Sequence, residues 1–469
     1  MHSSDSFWGP GGYSTPFGLS SDPYGCLRTD TLQSIDITCS GKRSAPDRWR
    51  ESLVLNRLRK PHDGAQVVLH VLFAYLRAGV AVDRDIGVWR ESTENKNGVH
   101  VSRKGRVVVA MSGGVDSSVV AGLLVEQGYD VIGVTIKTYR SEDVGGNSGN
   151  ESSCCSLDGI NDARAVAAKL GFAHYVLDFS EPFGREVIQN FIAEYLSGRT
   201  PNPCVICNRT IKWEELLRKA SALNAEWIAT GHYARVRHDS STGRYVLSRG
   251  RDHAKDQSYA LWNLTQESLA RTLFPLAELT KPEVRKVAAR MGLATALKHE
   301  SYEICFIPDD DYERFLKERV PDLESQVNGG ELLMNGEVVG THRGFPFYTI
   351  GQRKGVGVAA GEKVYVTRID HLANRVELGG VGKLYHRTLT ANRVNMIKYP
   401  DCSTPRQVLA KIRYKDEGSP ATAVTLDDRS LRIEFAEPRR AITPGQSVVL
   451  YEGDDVVGGG VIDTVDSLT

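Results

Sequence analysis

The chain lacks a net charge: 58 lysines and arginines balance 58 aspartates and glutamates over 469 residues. A global attraction for nucleic acid is thereby excluded, and any contact with a polyanion must be a local patch. No run of about 18 apolar residues occurs, so no segment reads as a membrane-spanning helix. Cysteine is scarce, with eight residues at irregular positions (26, 39, 154, 155, 204, 207, 305 and 402). That pattern excludes a secreted disulfide framework and fits a reducing, cytoplasmic compartment. Methionine is missing between Met1 and Met111. What remains is an ordinary globular composition, long enough for about two to four domains.

Residues 1–103 differ from the rest. They open with HSSDSFWGPGGYSTPFGLSSDPYG, rich in Gly, Ser and Pro and without helical or strand periodicity. One apolar patch, VVLHVLFAYLRAGVAV, reads as a single helix. Acidic residues scattered through the segment (Asp5, Asp22, Asp30, Asp36, Asp47, Glu51) argue against a transit peptide, and no signal-peptide start or cleavage site is found. We expect this segment to be disordered, or to precede a working start near Val99 or Val101.

From Arg106 the pattern is α/β. RVVVAM reads as a buried strand, followed by a helix from Ser117 to Gln127, a strand DVIGVTIK, and a helix near Ala163 to Leu170 closed by Gly171. A strand AHYVLDF, helices around Phe183 to Leu196 and Ile211 to Leu223, and a strand EWIAT continue the alternation. Thr280, Pro282 and Glu283 mark a capped helix start. Beyond about residue 312 helices largely disappear. GTHRGFPFYTIGQRKGVGV and EKVYVTRIDHLANRVELGG read as strands and hairpins, and QVLAKIRY, SLRIEF and SVVLYEGDDVVGGGVI as a small barrel. The expected architecture is an α/β domain with a doubly wound parallel sheet over residues 104–312. A central β-rich linker domain (313–384) and a C-terminal β-barrel (385–469) follow it.

The strongest chemical signal is AMSGGVDSS, residues 110–118, between a buried strand and a helix. Ser112, Gly113 and Gly114 permit a tight turn that aims N–H groups at an anion, and Ser117 and Ser118 add hydroxyls at the helix start. The bland alternative is a glycine-serine turn without a ligand. Neither a Walker ending nor G-x-G-x-x-G is present. The second signal is TPNPCVICNRTIKW, holding the chain's single C-x-x-C, Cys204 and Cys207. That spacing suits zinc, a redox disulfide, or one catalytic thiolate with a bystander. Cys305, in YEICFIP, reads from its neighbours as a core cysteine. Cys154 and Cys155 read as incidental, and Cys26, Cys39 and Cys402 as structural.

SGGVDS in this setting resembles the pyrophosphate loop of the N-type ATP pyrophosphatase superfamily. Together with GRTPNPCVICNRTIKW, ATGHYARV, KDQSYALWNL, ICFIPDDDYERFL, GQRKGVGV and TPGQSVVLY, in that order, it resembles the tRNA-specific 2-thiouridylase family over roughly residues 104 to 466. The resemblance implies an enzyme that uses ATP with Mg2+ to replace the C2 oxygen of a wobble uridine by sulfur. It also implies tRNA as partner, and a sulfur-carrier protein or cysteine desulfurase as donor. A monomer without membrane attachment is expected.

The resemblance makes Cys305 the persulfide carrier and Cys207 the assisting nucleophile. It implies Ala110, Met111, Ser112, Gly113, Gly114, Val115, Asp116 and Ser117 around the ATP phosphates, with Ile136 and Gly231 on the adenine side. For tRNA it implies Asn202, Pro203 and Cys204 around a flipped-out uridine. His232, Lys255, Asp256 and Gln257, and in the barrel Arg413, Tyr414 and Gln446, join them. Arg353 and Lys354 read as phosphate contacts or as a solvated basic turn. Family members often have aspartate where this chain has Cys204, so an acid/base role does not carry over. Cys204, Cys207 and Cys305 together leave an iron–sulfur cluster or zinc as alternatives to a persulfide. Competing readings are a small-molecule synthetase on the same ATP domain and a non-catalytic RNA-binding protein.

Overall fold

The computed structural model describes residues 80–83, 88–91, 104–139, 157–298, 304–358, 361–427 and 429–466. The chain divides into two units, residues 1–94 and 95–469. In the first, β1 (Val80–Asp83) pairs antiparallel with β2 (Val88–Glu91). The end of the patch read as a helix is therefore a strand, because β-branched valines after Gly79 favour extended backbone. The remainder of that patch, the expected disorder, the proposed start near Val99 or Val101, and Cys26, Cys39, Cys154 and Cys155 lie outside the described residues.

The second unit begins with a five-stranded parallel sheet, in spatial order β5 (Ala173–Asp178), β4 (Asp130–Lys137), β3 (Arg106–Ala110), β6 (Trp227–Ala229) and β9 (Thr272–Leu273). The first strand in sequence is central, and the chain winds outward first to one side, then to the other. β3 is buried on both faces. Val107 and Val109 pack with α1 (Val115–Glu126) and α2 (Leu157–Leu170), while Val108 packs with the helices on the opposite face. That two-sided burial is why the strand reads as an unbroken apolar run.

On the opposite face a helical run, α3, covers residues 180–196, and a second, α4, covers 203–222. Each changes to the wider π pitch part-way, over Gly184–Ile188 and Asn208–Glu215. The hairpin β7 (Ala234–Asp239) and β8 (Arg244–Arg249) then leaves the α/β layer, and α5 (Gln266–Ala270) and α6 (Lys281–Arg290) follow.

Two helices, α7 (Tyr312–Arg319) and α8 (Leu323–Val327), stand where helices were expected to have ended. Asp311 caps the first by accepting from the Arg314 N–H at 2.9 Å. A four-stranded sheet follows, in order β11 (Glu337–His342), β10 (Gly330–Met334), β13 (Arg375–Gly379) and β12 (Tyr365–Asp370). The GFPFYTIGQRKGVGV stretch makes turns rather than the expected strands.

β14 (Tyr385–Met396), β17 (Leu431–Arg440), β16 (Ser419–Thr425), β15 (Arg406–Lys411), β18 (Ser447–Glu452) and β19 (Asp455–Val465) close a six-stranded barrel, because β19 also pairs with β14. Leu431, Ile433 and Phe435 point inward between exposed Arg432 and Glu434, the period-2 pattern of such a wall. The β7–β8 hairpin joins the barrel sheet at β19.

Candidate active site

In an open parallel sheet, ligands bind beyond the carboxyl ends of the strands where the winding reverses. Here that place lies between β3 and β6. The loop after β3 is the glycine-serine motif. Met111 anchors it: its N–H donates to the Val134 carbonyl at 2.8 Å, and its carbonyl accepts from the Thr135 hydroxyl at 2.8 Å. Gly113 has φ +72°, and a Cβ there would fall 2.1 Å from the Gly159 carbonyl oxygen, so only glycine fits. The hydroxyls of Ser117 and Ser118 both donate to the Gly114 carbonyl, at 3.2 and 2.8 Å. Val115 and Ser117 are buried in the first turn of α1, and Ser112 is exposed at the mouth. Gly231, after β6, closes on this loop, since a Cβ there would lie 3.0 Å from Asp116 Cβ and from the Ser117 nitrogen. Ala110 ends β3, and Ile136 stands opposite Leu177 near the end of β4.

The C-x-x-C segment is helical, over Pro203–Cys207. Asn202 caps it, accepting from the Val205 N–H at 3.4 Å, and Pro203 occupies the first turn. Three side chains then fix the run: Asn208 donates to the Ala260 carbonyl (3.0 Å), Arg209 to Asn263 (3.1 Å) and Trp213 to Thr272 (2.7 Å). Cys204, Cys207 and Cys305 are all free thiols. Cys204 is open to solvent on one side, yet crowding protein desolvates it and pushes its pKa up, an effect that Lys212 partly offsets. Cys207 and Cys305 are half-buried against the same core. Next to Cys305, Phe306 packs edge-on against Phe183 and Phe191 with centroids 5.6 and 5.3 Å apart, while the Tyr139 hydroxyl donates to the Cys305 carbonyl at 2.6 Å.

The positions expected to meet RNA gather where this helix, the loop after β6 and the barrel meet. Burial, then the charge of Lys212, hold the His232 imidazole well below its ordinary pKa. Gln257 brackets Tyr233, accepting from its N–H (3.1 Å) and donating its own N–H to its carbonyl (3.0 Å). Asp256 accepts from the Ser258 N–H and hydroxyl, while burial raises its pKa. Exposed Tyr414 donates to the Asp256 carbonyl at 3.1 Å, and burial, then the charge of Asp256, raise its pKa. Lys255 begins this stretch, its N–H on the Asp252 carbonyl. Arg413 is exposed and donates to the Arg440 carbonyl at 2.9 Å. Gln446 reaches the helix entry itself, donating to the carbonyls of Thr200 (3.0 Å) and Pro201 (2.9 Å). Arg353 and Lys354 are exposed in a turn.

Three family models match the chain: a tRNA methyl transferase HUP domain over residues 105–309, a tRNA methyl transferase PRC-barrel domain over 313–380, and an aminomethyltransferase beta-barrel domain over 386–462. The tRNA-specific 2-thiouridylase MnmA of Salinibacter ruber is 57% identical over 367 residues, covering 78% of this chain and 96% of that protein. The chain belongs to the tRNA-specific 2-thiouridylase family. Its namesake from Amoebophilus asiaticus is 55% identical over 363 residues, 77% of this chain and 96% of the relative. A solved 4-thiouridine synthetase–RNA complex with bound ATP is 16% identical, covers 46% of this chain and 51% of its own, and has a TM-score of 0.29, a likeness too slight to add to the assignment.

Three further residues of this 2-thiouridylase-family chain border the site without having been singled out by the motifs. Lys281, buried in the first turn of α6, donates to both carboxylate oxygens of Asp116 at 2.8 and 2.7 Å. Tyr233 donates to the same carboxylate at 2.8 Å. Lys212 influences both Cys204 and His232. Lys212 lies inside the TPNPCVICNRTIKW motif, eight residues beyond Cys204. Lys281 carried no local signal, because its partner lies 165 residues away.

Proposed function

We propose that this protein thiolates the wobble uridine of tRNA at C2 in an ATP-dependent reaction. The observation that carries this reading is the pair Gly231–His232. Gly231 touches the phosphate-loop residues Asp116 and Ser117, while its neighbour His232 shares the influence of Lys212 with Cys204. Nucleotide loop and cysteine helix thus border one space. The parts fall as residues 104–312 for the ATP-using domain, 313–384 for the linker domain and 385–469 for the barrel.

A uridine C2 carbonyl is a poor electrophile with oxide as leaving group. In the first half, its oxygen attacks the α-phosphorus of Mg-ATP and pyrophosphate leaves. The N–H groups of 112–114 and the first turn of α1 receive the phosphate charge, with the Lys281 ammonium beside them. In the second half, the terminal sulfur of a Cys305 persulfide attacks C2 and AMP departs. The Cys207 thiolate then attacks Sγ of Cys305, leaving 2-thiouridine and a Cys207–Cys305 disulfide that a cellular thiol reduces. The persulfide sulfur comes from a desulfurase or carrier protein, and the reaction runs in the cytoplasm on a monomer.

Among the described residues no three His, Cys, Asp or Glu side chains converge as metal ligands. The cysteine trio as placed does not fit a cluster, and no step is drawn through one. Likewise, no helix among those residues is long and apolar enough to cross a membrane.

ATP–pyrophosphate exchange tests the first half. It should require unmodified tRNA and persist in Cys305→Ala, which blocks only sulfur transfer. Exchange that a small amine or acid supports without tRNA would instead indicate a synthetase.

A further inference from the structure

The cysteine-bearing segment of the α/β domain takes its backbone partners from the barrel. The Thr200 N–H donates to the Pro444 carbonyl at 2.9 Å, and the carbonyls of Thr200 and Pro201 accept from the Gln446 amide. Gly445, at φ +91°, comes so close that a Cβ would lie 2.7 Å from the Thr200 oxygen. This turn, 443–446, is itself held to β19, because Gly445 donates to the Ile462 carbonyl and Ile462 donates to that of Gln446, both at 2.8 Å.

Beside it lies a charge cluster of balanced sign. Glu194, 6% exposed, accepts from Arg199 Nε at 2.7 Å and from Arg393 Nη2, on β14, at 2.8 Å. Arg199 also donates to the Asp463 carboxylate (2.9 Å) and the Ile462 carbonyl (3.0 Å) on β19. A guanidinium engaged on all its edges cannot shift without leaving buried charge unpaired.

We infer that the barrel turn 443–446 is a clamp that positions the cysteine helix, with Gln446 as its positioning residue. The barrel therefore does more than dock RNA: it completes the reactive segment before any RNA arrives. Arg199 and Thr200 form the hinge point, since Asn202 and the first turn with Cys204 and Cys207 begin just beyond them. The inference rests on the proposed function only for the importance of these thiols.

The test is iodoacetamide labelling of the full chain without RNA or ATP, read at each cysteine by mass spectrometry. Gln446→Glu keeps the side-chain shape but turns a donor into an acceptor facing two carbonyls. Cys204 and Cys207 should then be labelled on the order of tenfold faster than in wild type, through loss of two hydrogen bonds and local opening. Cys402, buried in the barrel, should keep its wild-type rate. Gln446→Ala should give a smaller rise in the same direction. Wild-type rates at Cys204 and Cys207 in both variants, with only RNA affinity weakened, would overturn the clamp and make Gln446 a plain RNA contact. A parallel rise at Cys402 would overturn it too, since it reports a loosened barrel. Neither result depends on thiolation, so the proposed function stands or falls separately.

Discussion

Cys204 and Cys207 stand one helical turn apart, and their surroundings differ. The Cys204 thiol is crowded enough that burial raises its pKa, which disfavours the thiolate there. Cys207 is half-buried toward the core that also borders Cys305. The two cysteines of the C-x-x-C thus sit in different surroundings on one helix. His232 carries the pH consequence. Its ordinary value of 6.5 is depressed in the fold, so the unfolded chain takes up a proton below that value while the native ring stays neutral. Its contribution to stability is complete above pH 6.5 and declines as pH falls below it. In NMR spectra the His232 ring proton should titrate well below the ordinary histidine range. Lys212→Met should move its titration part of the way back, burial remaining the larger cause. A His232 that titrates normally in the wild type would remove Lys212 from this site.

At the scale of elements, the β7–β8 hairpin joins the ATP-using domain to the barrel. Asp455, at the start of β19, receives hydrogen bonds from Arg237 and Ser248 of the hairpin at 2.7 Å each, and an ion pair from Lys398 at 2.8 Å. Burial alone would raise its pKa; those partners hold it below the ordinary carboxylate value. Asp455→Ala should therefore cost about 2 kcal/mol, since it strands partly buried donors and a cation. Urea unfolding would show that loss at pH 7, and unchanged stability would mean that the hairpin is joined otherwise.

Elements legible in the sequence were those whose pattern is local. RVVVAM announces two-sided burial, and Leu431 to Phe435 alternates as a barrel wall must. The hairpin itself was missed because ARVRHD and RYVLSR have their decisive partner some 200 residues later, at Asp455. The helical start at 203 is legible, with asparagine at the cap and proline behind it, although the cysteine spacing itself suits zinc or a redox pair equally. Likewise the phosphate loop could be recognised from its glycines and serines, whereas Lys281 beside it is a product of folding alone.

Across the whole molecule, zero net charge and an RNA substrate are compatible because the basic residues are placed, not numerous. Lys212 acts on Cys204 and His232, Lys411 lies over the Tyr259 ring and feels Asp256, and Lys255 and Arg413 are the chain neighbours of Asp256 and Tyr414, so binding should weaken with salt despite the neutral total. On the proposed reading the parts of one reaction lie around the junction of helix, β6 loop and barrel: the glycine-serine loop at the sheet's reversal point, Cys207 on the helix that starts at Pro203, Cys305 in the turn before Tyr312, and a barrel turn bonded to Thr200 and Pro201. The most direct measurement is mass analysis of the wobble nucleosides of unmodified tRNA after incubation with the protein, Mg-ATP and a persulfide donor. Wild type should yield 2-thiouridine, and Cys207→Ala and Cys305→Ala should yield none while both keep tRNA-dependent pyrophosphate release. Absence of 2-thiouridine with wild type, or equal amounts from wild type and Cys305→Ala, would contradict the account.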